Sequence, residues 1–170
     1  MTDLTIALAG NPNAGKTTIF NALTGLHQHT GNWPGKTVEK KEGEIKFENL
    51  NINIVDLPGT YSLTAYSPEE IIARDYIIEE HPDVVINVVD ATNLERNLYL
   101  TVQILELDVP VVLALNMNDA LQKDGAKINL ENLSRLLGDI PVVSTTANRG
   151  AGISDLIAKA VQAARKKEAA

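Results

Sequence analysis

The chain contains no cysteine, no apolar segment long enough to cross a membrane and no dense cluster of positive charge. The absence of cysteine excludes disulfides, thiolate nucleophiles and cysteine-based zinc sites. The longest apolar segments, 84–89 and 109–115, are interrupted by Asn87 and Pro110, whereas a membrane span needs ~20 apolar residues. The chain begins Met-Thr-Asp, without the basic and apolar segments of a secretory signal. We therefore expect a soluble chain, whether whole or part of a longer protein.

The charge balance argues against general binding to nucleic acid. The net charge is -7, and an acidic chain binds a polyanion only through a local basic patch. The lysines of segment 36–41 are interleaved with Glu39 and Glu42, and the basic segment 165–167 is typical of a solvated helix end. We therefore predict no nucleic-acid partner.

Short apolar segments alternate with helical apolar stripes along the 170 residues, a length typical of one domain. Asn49 marks a turn between segments 38–47 and 50–56, and their close spacing favours an antiparallel hairpin. Segment 26–36 has no apolar period and predicts a mobile loop. Strands alternating with helices predict an α/β fold with a mostly parallel sheet covered on both faces. The six strand-like segments are 4–9, 38–47, 50–56, 84–90, 111–115 and 140–143.

The segment Gly10–Thr17 reads G-N-P-N-A-G-K-T and fits the phosphate-loop pattern G-x-x-x-x-G-K-[ST]. It lies between a strand-like and a helix-like segment, which is the context that the pattern requires. Backbone amides of such a loop and of the following helix point at anionic oxygens. Lys16 is then expected to reach the β- and γ-phosphates, and the Thr17 hydroxyl to bind Mg²⁺.

Two further motifs follow predicted strands. Asp56-Leu57-Pro58-Gly59 ends one strand, at the sheet edge where α/β proteins bind ligands. We expect Asp56 to hold Mg²⁺, usually through water, and the Gly59 amide to approach the γ-phosphate. Asn116-Met117-Asn118-Asp119 ends another strand. The Asp119 carboxylate is suited to accept two N–H groups from guanine, which adenine does not present, while Asn116 is suited to bond N7 and to tie neighbouring loops together.

The segment 144–150 follows the last predicted strand. Its backbone is a candidate contact for the base oxygen through Thr145, Thr146 and Ala147. An ordinary irregular loop explains this degenerate pattern nearly as well.

In this order the motifs resemble the small GTPase G domain over almost the whole chain. A narrower resemblance, to the N-terminal G domain of the ferrous-iron transport protein B family, rests on G-N-P-N-A-G-K-T-T-I-F-N, T-G-N-W-P-G-K-T-V-E and D-L-P-G-T-Y-S-L. The tract Thr30–Glu39 is the most diagnostic because it departs from generic bacterial GTPases. The resemblance implies a Ras-like P-loop GTPase fold, with a mostly parallel six-stranded sheet and one antiparallel edge strand.

The resemblance also implies roles for individual residues. Segment 30–39 corresponds to switch I, with Thr37 closing on Mg²⁺ and the γ-phosphate, and segment 56–67 to switch II. The expected catalytic residues are Lys16, Thr37, Asn13 and Gly59, and the expected Mg²⁺ ligands are Thr17, Thr37 and Asp56. The expected GTP-binding residues are Gly10, Asn11, Pro12, Asn13, Ala14, Gly15, Lys16, Thr17, Thr18, Gly35, Lys36, Thr37, Val38, Glu39, Asp56, Leu57, Pro58, Gly59, Asn116, Met117, Asp119, Thr145, Thr146 and Ala147.

In members of the family, a helical domain and a membrane permease follow the G domain. The resemblance thus implies that residues 1–170 form a single G domain, the soluble N-terminal part of a multi-pass membrane protein, at the cytoplasmic face of the membrane. It further implies that GTP hydrolysis is coupled to ferrous-iron transport or regulates it. The implied partners are GTP and GDP and the protein's own helical and permease domains. Association with a second G domain during hydrolysis is a further expectation of ours. His27 and His29 lack a partner carboxylate, which favours exposed loop histidines over an iron site.

Three positions depart from the generic GTPase pattern. Met117 replaces the usual lysine, and its thioether is still able to cover the face of the base. Thr146-Ala147 replaces Ser-Ala without removing the backbone contact. Thr60 stands where many GTPases place the glutamine that orients the attacking water, and threonine has too little reach for that role.

No arginine lies between Leu26 and Tyr66 to serve as an internal arginine finger. Asn13 resembles the phosphate-loop asparagine that coordinates K⁺ in cation-activated GTPases, so we hypothesise that K⁺ supplies the missing positive charge. The alternative is that Asn13 only stabilises the loop by a hydrogen bond.

Other functions and surfaces stay open at this point. The phosphate-loop asparagine is shared with ribosome- and tRNA-associated GTPases, so that function is one alternative. Another is a nucleotide-sensing module with negligible hydrolysis, whose only output is the ordering of its switch segments. An adenine-specific ATPase is disfavoured by Asp119. Trp33 and Tyr61 in the proposed switches either form a partner surface or pack locally.

Overall fold

The computed structural model describes all residues from Met1 to Ala170 and contains one sheet of seven strands in the order β2-β3-β4-β1-β5-β6-β7. The strands are β1 Leu4–Gly10, β2 Gln28–Asn32, β3 Glu39–Phe47, β4 Leu50–Asp56, β5 Val84–Asp90, β6 Val111–Asn116 and β7 Val142–Ser144. The helices are α1 Lys16–Thr24, α2 Pro68–Glu80, α3 Leu94–Leu105, α4 Asn118–Lys123, α5 Leu130–Leu136 and α6 Ile153–Ala169. None of these helices has the length and apolar character that crossing a bilayer requires.

The predicted α/β class, with its mostly parallel sheet, is confirmed, but the sheet has seven strands rather than six. The additional strand, β2, lies in the segment for which we predicted a loop, and it pairs antiparallel with β3 from Gln28↔Gly43 to Asn32↔Glu39. The antiparallel strand β3 is therefore second from the edge. The apolar pattern missed β2 because four of its five residues are exposed, so pairing of its backbone needed no apolar face.

The sheet is buried on both faces, which explains the apolar character of its central strands. Ile6 and Leu8 of β1 belong to the core shared with α1 and α6, whereas Ala7 and Ala9 belong to the core beside α2 and α3. This division follows from the two-residue alternation of side chains along a strand.

The ligand-binding motifs meet because the parallel strands end at one edge of the sheet. β1 ends at Gly10 beside β4, with Leu8 paired to Asp56. β6 ends at Asn116, which is paired with Asp90 of β5. The loops that follow β1, β4 and β6 therefore leave the sheet side by side, as expected for the carboxyl edge of an α/β sheet.

Candidate functional site

The phosphate-loop segment connects β1 directly to α1. Gly15 precedes the helix in a left-handed conformation with φ 95°, and no side chain caps the first turn of α1. The first amides of a helix have no intrahelical acceptor, so those of α1 are available to an anion. Asn13 is also left-handed, with φ 67°, and is exposed.

Two glycines of this segment occupy places that no side chain fits. A Cβ on Gly15 would lie 2.1 Å from Nδ2 of Asn116, and one on Gly10 would lie 2.7 Å from the carbonyl oxygen of Val88. Gly15 is thus required both by its positive φ and by the close approach of the loop after β6.

We expect Gly15→Ala to abolish GDP binding, because the new methyl group would displace the Asn116 carboxamide that joins the loops. Gly138→Ala is the matched control, since Gly138 has a similar φ of +84° but no atom within 4 Å of a built Cβ. The control should lose about 1 kcal/mol of unfolding free energy through backbone strain alone and retain GDP binding. Calorimetric titration with GDP and urea unfolding of both variants test this, and equal GDP affinities would contradict it.

Lys16 and Asp56 form a buried ion pair at the centre of the site. Their side chains are only 9% and 8% exposed, and Nζ of Lys16 donates to Oδ1 of Asp56. Burial raises the pKa of the Asp56 carboxyl above its usual value, and the charge and hydrogen bond of Lys16 oppose that rise. The two groups predicted to contact phosphate and Mg²⁺ therefore lie together and neutralise each other in this structure.

The start of the proposed switch II runs alongside the phosphate loop. The amide of Leu57 donates to Leu8 O at 3.0 Å, and the amide of Thr60 donates to Gly10 O at 3.1 Å. A Cβ on Gly59 would lie 3.4 Å from Pro12. One cavity of about 530 Å³ adjoins this segment, and its lining residues are Asn11, Pro12, Asn13, Gly15, Lys16, Thr17, Thr18, Gly59 and Met117.

The expected switch I residues lie outside that cavity. Gly35, Lys36, Thr37, Val38 and Glu39 do not line it, and all except Val38 are exposed. The segment is a short loop closed by hydrogen bonds from the Trp33 amide to Val38 O at 3.0 Å and from the Lys36 amide to Trp33 O at 2.9 Å. Contact between Thr37 and a phosphate or Mg²⁺ would need this loop to move.

Trp33 packs locally, which resolves one of the two alternatives left by the sequence. Its side chain is buried against Tyr76 of α2 in an edge-to-face contact of 5.6 Å, with Nζ of Lys40 4.9 Å from the ring centroid. Burial and neighbouring carboxylates raise the pKa of Tyr76 to about 12. Tyr61 differs, since it is 44% exposed and lies under the guanidinium group of Arg96 at 4.3 Å.

Asn116 joins three loops, as expected. Its Nδ2 donates to Ala14 O, while its Oδ1 accepts from Oγ1 of Thr145 and from the amide of Ala147, each at 3.1 Å. These bonds bring segment 145–147, which the sequence left ambiguous, next to the phosphate loop. Met117 is left-handed, and its terminal methyl lies 3.6 Å from the Cβ position of Gly15.

Asp119 lies in the first turn of α4 and is half-buried. Its carboxylate takes part in none of the ion pairs of the molecule. The carboxylate therefore remains available to a ligand beside the loops that Asn116 joins.

Two polar groupings escaped the sequence analysis. Nδ2 of Asn118 donates to Oγ of Ser144 at 2.9 Å. Behind the site, buried Asn87 donates to Ala9 O and accepts from Thr101 of α3. A polar residue within an apolar strand was the only signal for Asn87, and no signal in the sequence pairs Asn118 with Ser144.

Comparison with known proteins identifies the family. Residues 4–160 match the family model described as ferrous iron transport protein B. The chain belongs to this family. The Fe(2+) transport protein A/Fe(2+) transporter FeoB fusion protein of Porphyromonas gingivalis is 54% identical over 152 residues, which cover 89% of this chain and 18% of that protein. The chain thus spans about a fifth of the length of the curated relatives it matches.

Solved FeoB structures share the fold. The FeoB G-domain from Methanococcus jannaschii is 49% identical, with a TM-score of 0.86 over 97% of this chain and 99% of that one. A GDP-bound mutant of S. thermophilus NFeoB is 53% identical, with a TM-score of 0.88 over 94% of this chain and 61% of that one. The chain is a FeoB G domain with the P-loop GTPase fold, which confirms the resemblance seen in the sequence.

Proposed function

We propose that this FeoB G domain binds guanine nucleotides and hydrolyses GTP to GDP and phosphate. The observation that carries the proposal is the convergence, at one sheet edge, of the uncapped start of α1, the Lys16–Asp56 pair and the loops joined by Asn116. A polyphosphate would replace Asp56 as the partner of Lys16, since its anionic oxygens also accept charge-assisted hydrogen bonds from an ammonium group.

In this proposal Asp119 selects guanine. Its carboxylate would accept the N1 and 2-amino protons of guanine, while the backbone of segment 145–147 contacts the base oxygen. Adenine has neither the N1 proton nor the 2-amino group, so binding of adenine would leave the desolvated carboxylate of Asp119 unpaired. Met117 would cover one face of the base, since its side chain already lies against the phosphate loop.

The residues present fit Mg²⁺. The donors already at the site are the carboxylate of Asp56, which lies against Lys16, and the hydroxyl of Thr17, and the exposed Thr37 would join them only after switch I moves. Mg²⁺ prefers oxygen ligands, usually one or two carboxylates together with substrate phosphates. Release of Asp56 from Lys16 would make its carboxylate available. Bound Mg²⁺ would neutralise charge on the β- and γ-phosphates.

Hydrolysis needs groups that orient water and stabilise charge. Thr60 is buried and its amide is bonded to Gly10, so its short side chain is poorly placed to reach an attacking water. We propose that backbone groups near Gly59 and in switch I, together with Thr37, position the water after switch I moves. Such a site would work slowly in isolation.

We further propose that K⁺, held by the Asn13 side chain and by switch I backbone, replaces the arginine finger. The exposed, left-handed Asn13 lines the same cavity as Lys16 and Thr17, which supports a role beyond stabilising the loop. Turnover of GTP should be at least about 10-fold faster in KCl than in NaCl at equal ionic strength, since an arginine finger contributes 10³–10⁵. Asn13→Ala should lose the difference between the salts, and equal wild-type rates in both would refute the K⁺ role.

The full-length protein is proposed to be a membrane transporter for ferrous iron, with this single domain at the cytoplasmic face of the membrane. Its helical regulatory and permease domains would follow residue 170, and G domains of neighbouring copies would associate during hydrolysis. Support comes from the family and from the small share of the relatives' length that the chain spans.

The decisive experiment is a calorimetric titration of the folded chain with GDP and Mg²⁺, followed by phosphate release from GTP under single-turnover conditions. Saturable GDP binding that excess ATP does not compete with is the expected result. No heat with GDP would refute the proposal.

A nucleotide-sensing module with negligible hydrolysis is the second candidate. The exposed position of Thr37 outside the cavity and the short side chain of Thr60 favour it. Tight GTP binding without phosphate release in KCl would select this function. A ribosome- or tRNA-associated GTPase would instead show retention on RNA at moderate salt.

A further inference from the structure

We propose that the hydrogen bond between Asn118 and Ser144 positions segment 144–147 against the guanine base and slows the release of GDP. This inference rests on the proposed function, because it concerns the same nucleotide site. The bond joins the first residue of α4 to the last residue of β7, 26 positions apart in the chain.

The strand that carries Ser144 is weakly held. β7 has only three residues, lies at the sheet edge and pairs with β6 alone, through Val142, Val143 and Ser144. Few ladder hydrogen bonds therefore fix its end. Beyond Ser144 the backbone is held by the Thr145 amide, which donates to Leu115 O at 2.9 Å, and by the pairing of Thr146 with Ala151, so side-chain contacts add to a small number of backbone bonds.

Two asparagines of one motif supply those contacts. Asn116 binds Thr145 and Ala147, and Asn118 binds Ser144. Since Asp119 follows Asn118 directly, the same bond also fixes the start of the helix that carries the expected guanine-selecting carboxylate. Asn118 is therefore a positioning residue, which would act on the base both through segment 144–147 and through Asp119.

The environment of Asn118 makes this bond consequential. Its Oδ1 is buried without a hydrogen-bond partner, so the contact with Ser144 is the one side-chain bond that orients the carboxamide. Loss of the Ser144 hydroxyl would leave both polar atoms of the carboxamide unsatisfied, which favours its rotation toward solvent and frees segment 144–147.

The test measures GDP dissociation by stopped-flow displacement in Asn118→Ala, Ser144→Ala, the double variant and Ser144→Thr. Each alanine variant should release GDP about three- to ten-fold faster, as expected for loss of one neutral hydrogen bond. The double variant should be no faster than the faster single variant, because both remove the same contact. Ser144→Thr keeps the hydroxyl and should restore slow release.

A control variant distinguishes an effect on the base site from a general loss of stability. Ser134→Ala also removes a serine hydroxyl that makes one hydrogen bond, in this case by donating from Oγ to Ile140 O at 2.6 Å, and should leave GDP release unchanged. Single-turnover hydrolysis of bound GTP should change less than about two-fold in all variants, because the phosphate side is untouched.

Unchanged GDP release in both alanine variants, additive effects in the double variant, or equally fast release in Ser134→Ala would overturn the inference while leaving the proposed function in place. If an alanine variant melts too early to assay, fast release in the folded Ser144→Thr variant would overturn it as well. Absence of GDP binding in the wild-type chain would overturn the proposed function, and this inference with it.

Discussion

Lys16→Met should reduce single-turnover GTP hydrolysis by about 100- to 1,000-fold, the usual loss when one preorganised donor to transition-state charge is removed. The same change should destabilise the nucleotide-free protein by about 3–5 kcal/mol, because it leaves the buried Asp56 carboxylate without its partner. Phosphate release and urea unfolding measure the two effects separately.

A double-mutant cycle separates catalysis from stability at this site. Lys16→Met combined with Asp56→Leu removes both charges, so it should regain most of the lost unfolding free energy but none of the activity. Arg165→Met is a control away from the site, since Arg165 is about half exposed and pairs with Glu48 at 3.5 Å, a contact worth about 0–1 kcal/mol. A Lys16→Met variant that hydrolyses GTP normally would contradict the assigned role.

Asp119→Ala should weaken GDP binding by about 100- to 10,000-fold. The change removes two hydrogen bonds to a charged acceptor, each worth about 1.5–3 kcal/mol. The preference for guanine over adenine should fall by a similar factor, because the carboxylate discriminates between the bases through those two protons alone. Competition of GDP and ADP against a labelled guanine nucleotide measures both quantities.

Asp124→Ala provides the matched control for Asp119, since it removes an exposed carboxylate at the other end of the short helix α4. Its nucleotide affinities should equal those of the wild type. The guanine assignment would fail if Asp119→Ala kept its preference for GDP, or if both variants lost affinity equally.

Local patterns predicted most of the molecule for identifiable reasons. The apolar runs in β1, β5 and β6 reflect burial on both faces of the sheet, and that burial is a property of each segment by itself. The N-cap of α2 at Ser67 is likewise a local feature, because the Oγ of Ser67 accepts the amide of Glu70, three residues on, at 3.1 Å. The carboxylate of Glu70 accepts in turn from the amide of Tyr66, the residue before the cap.

Prediction failed where partners are distant and polar. β2 forms because its backbone pairs with the edge of β3, and the side chains of β2 carry no apolar pattern that would predict this pairing. The sequence left open whether Trp33 forms a partner surface or packs locally, and only its contact with Tyr76 of α2 decided for local packing. The position of Thr37 outside the phosphate-loop cavity likewise depends on how the loop 33–38 closes.

The sequence by itself determined the strand–helix alternation, the phosphate loop and the order of the motifs, because backbone conformation and burial pattern are written locally in residue type and spacing. Only the tertiary structure decided that Lys16 pairs with Asp56, that Asn116 joins three loops and that Asn118 meets Ser144. Those contacts join residues 26 to 102 positions apart. Polar side chains are able to choose among many partners, so the packing of the sheet, rather than spacing along the chain, selects which partners they meet.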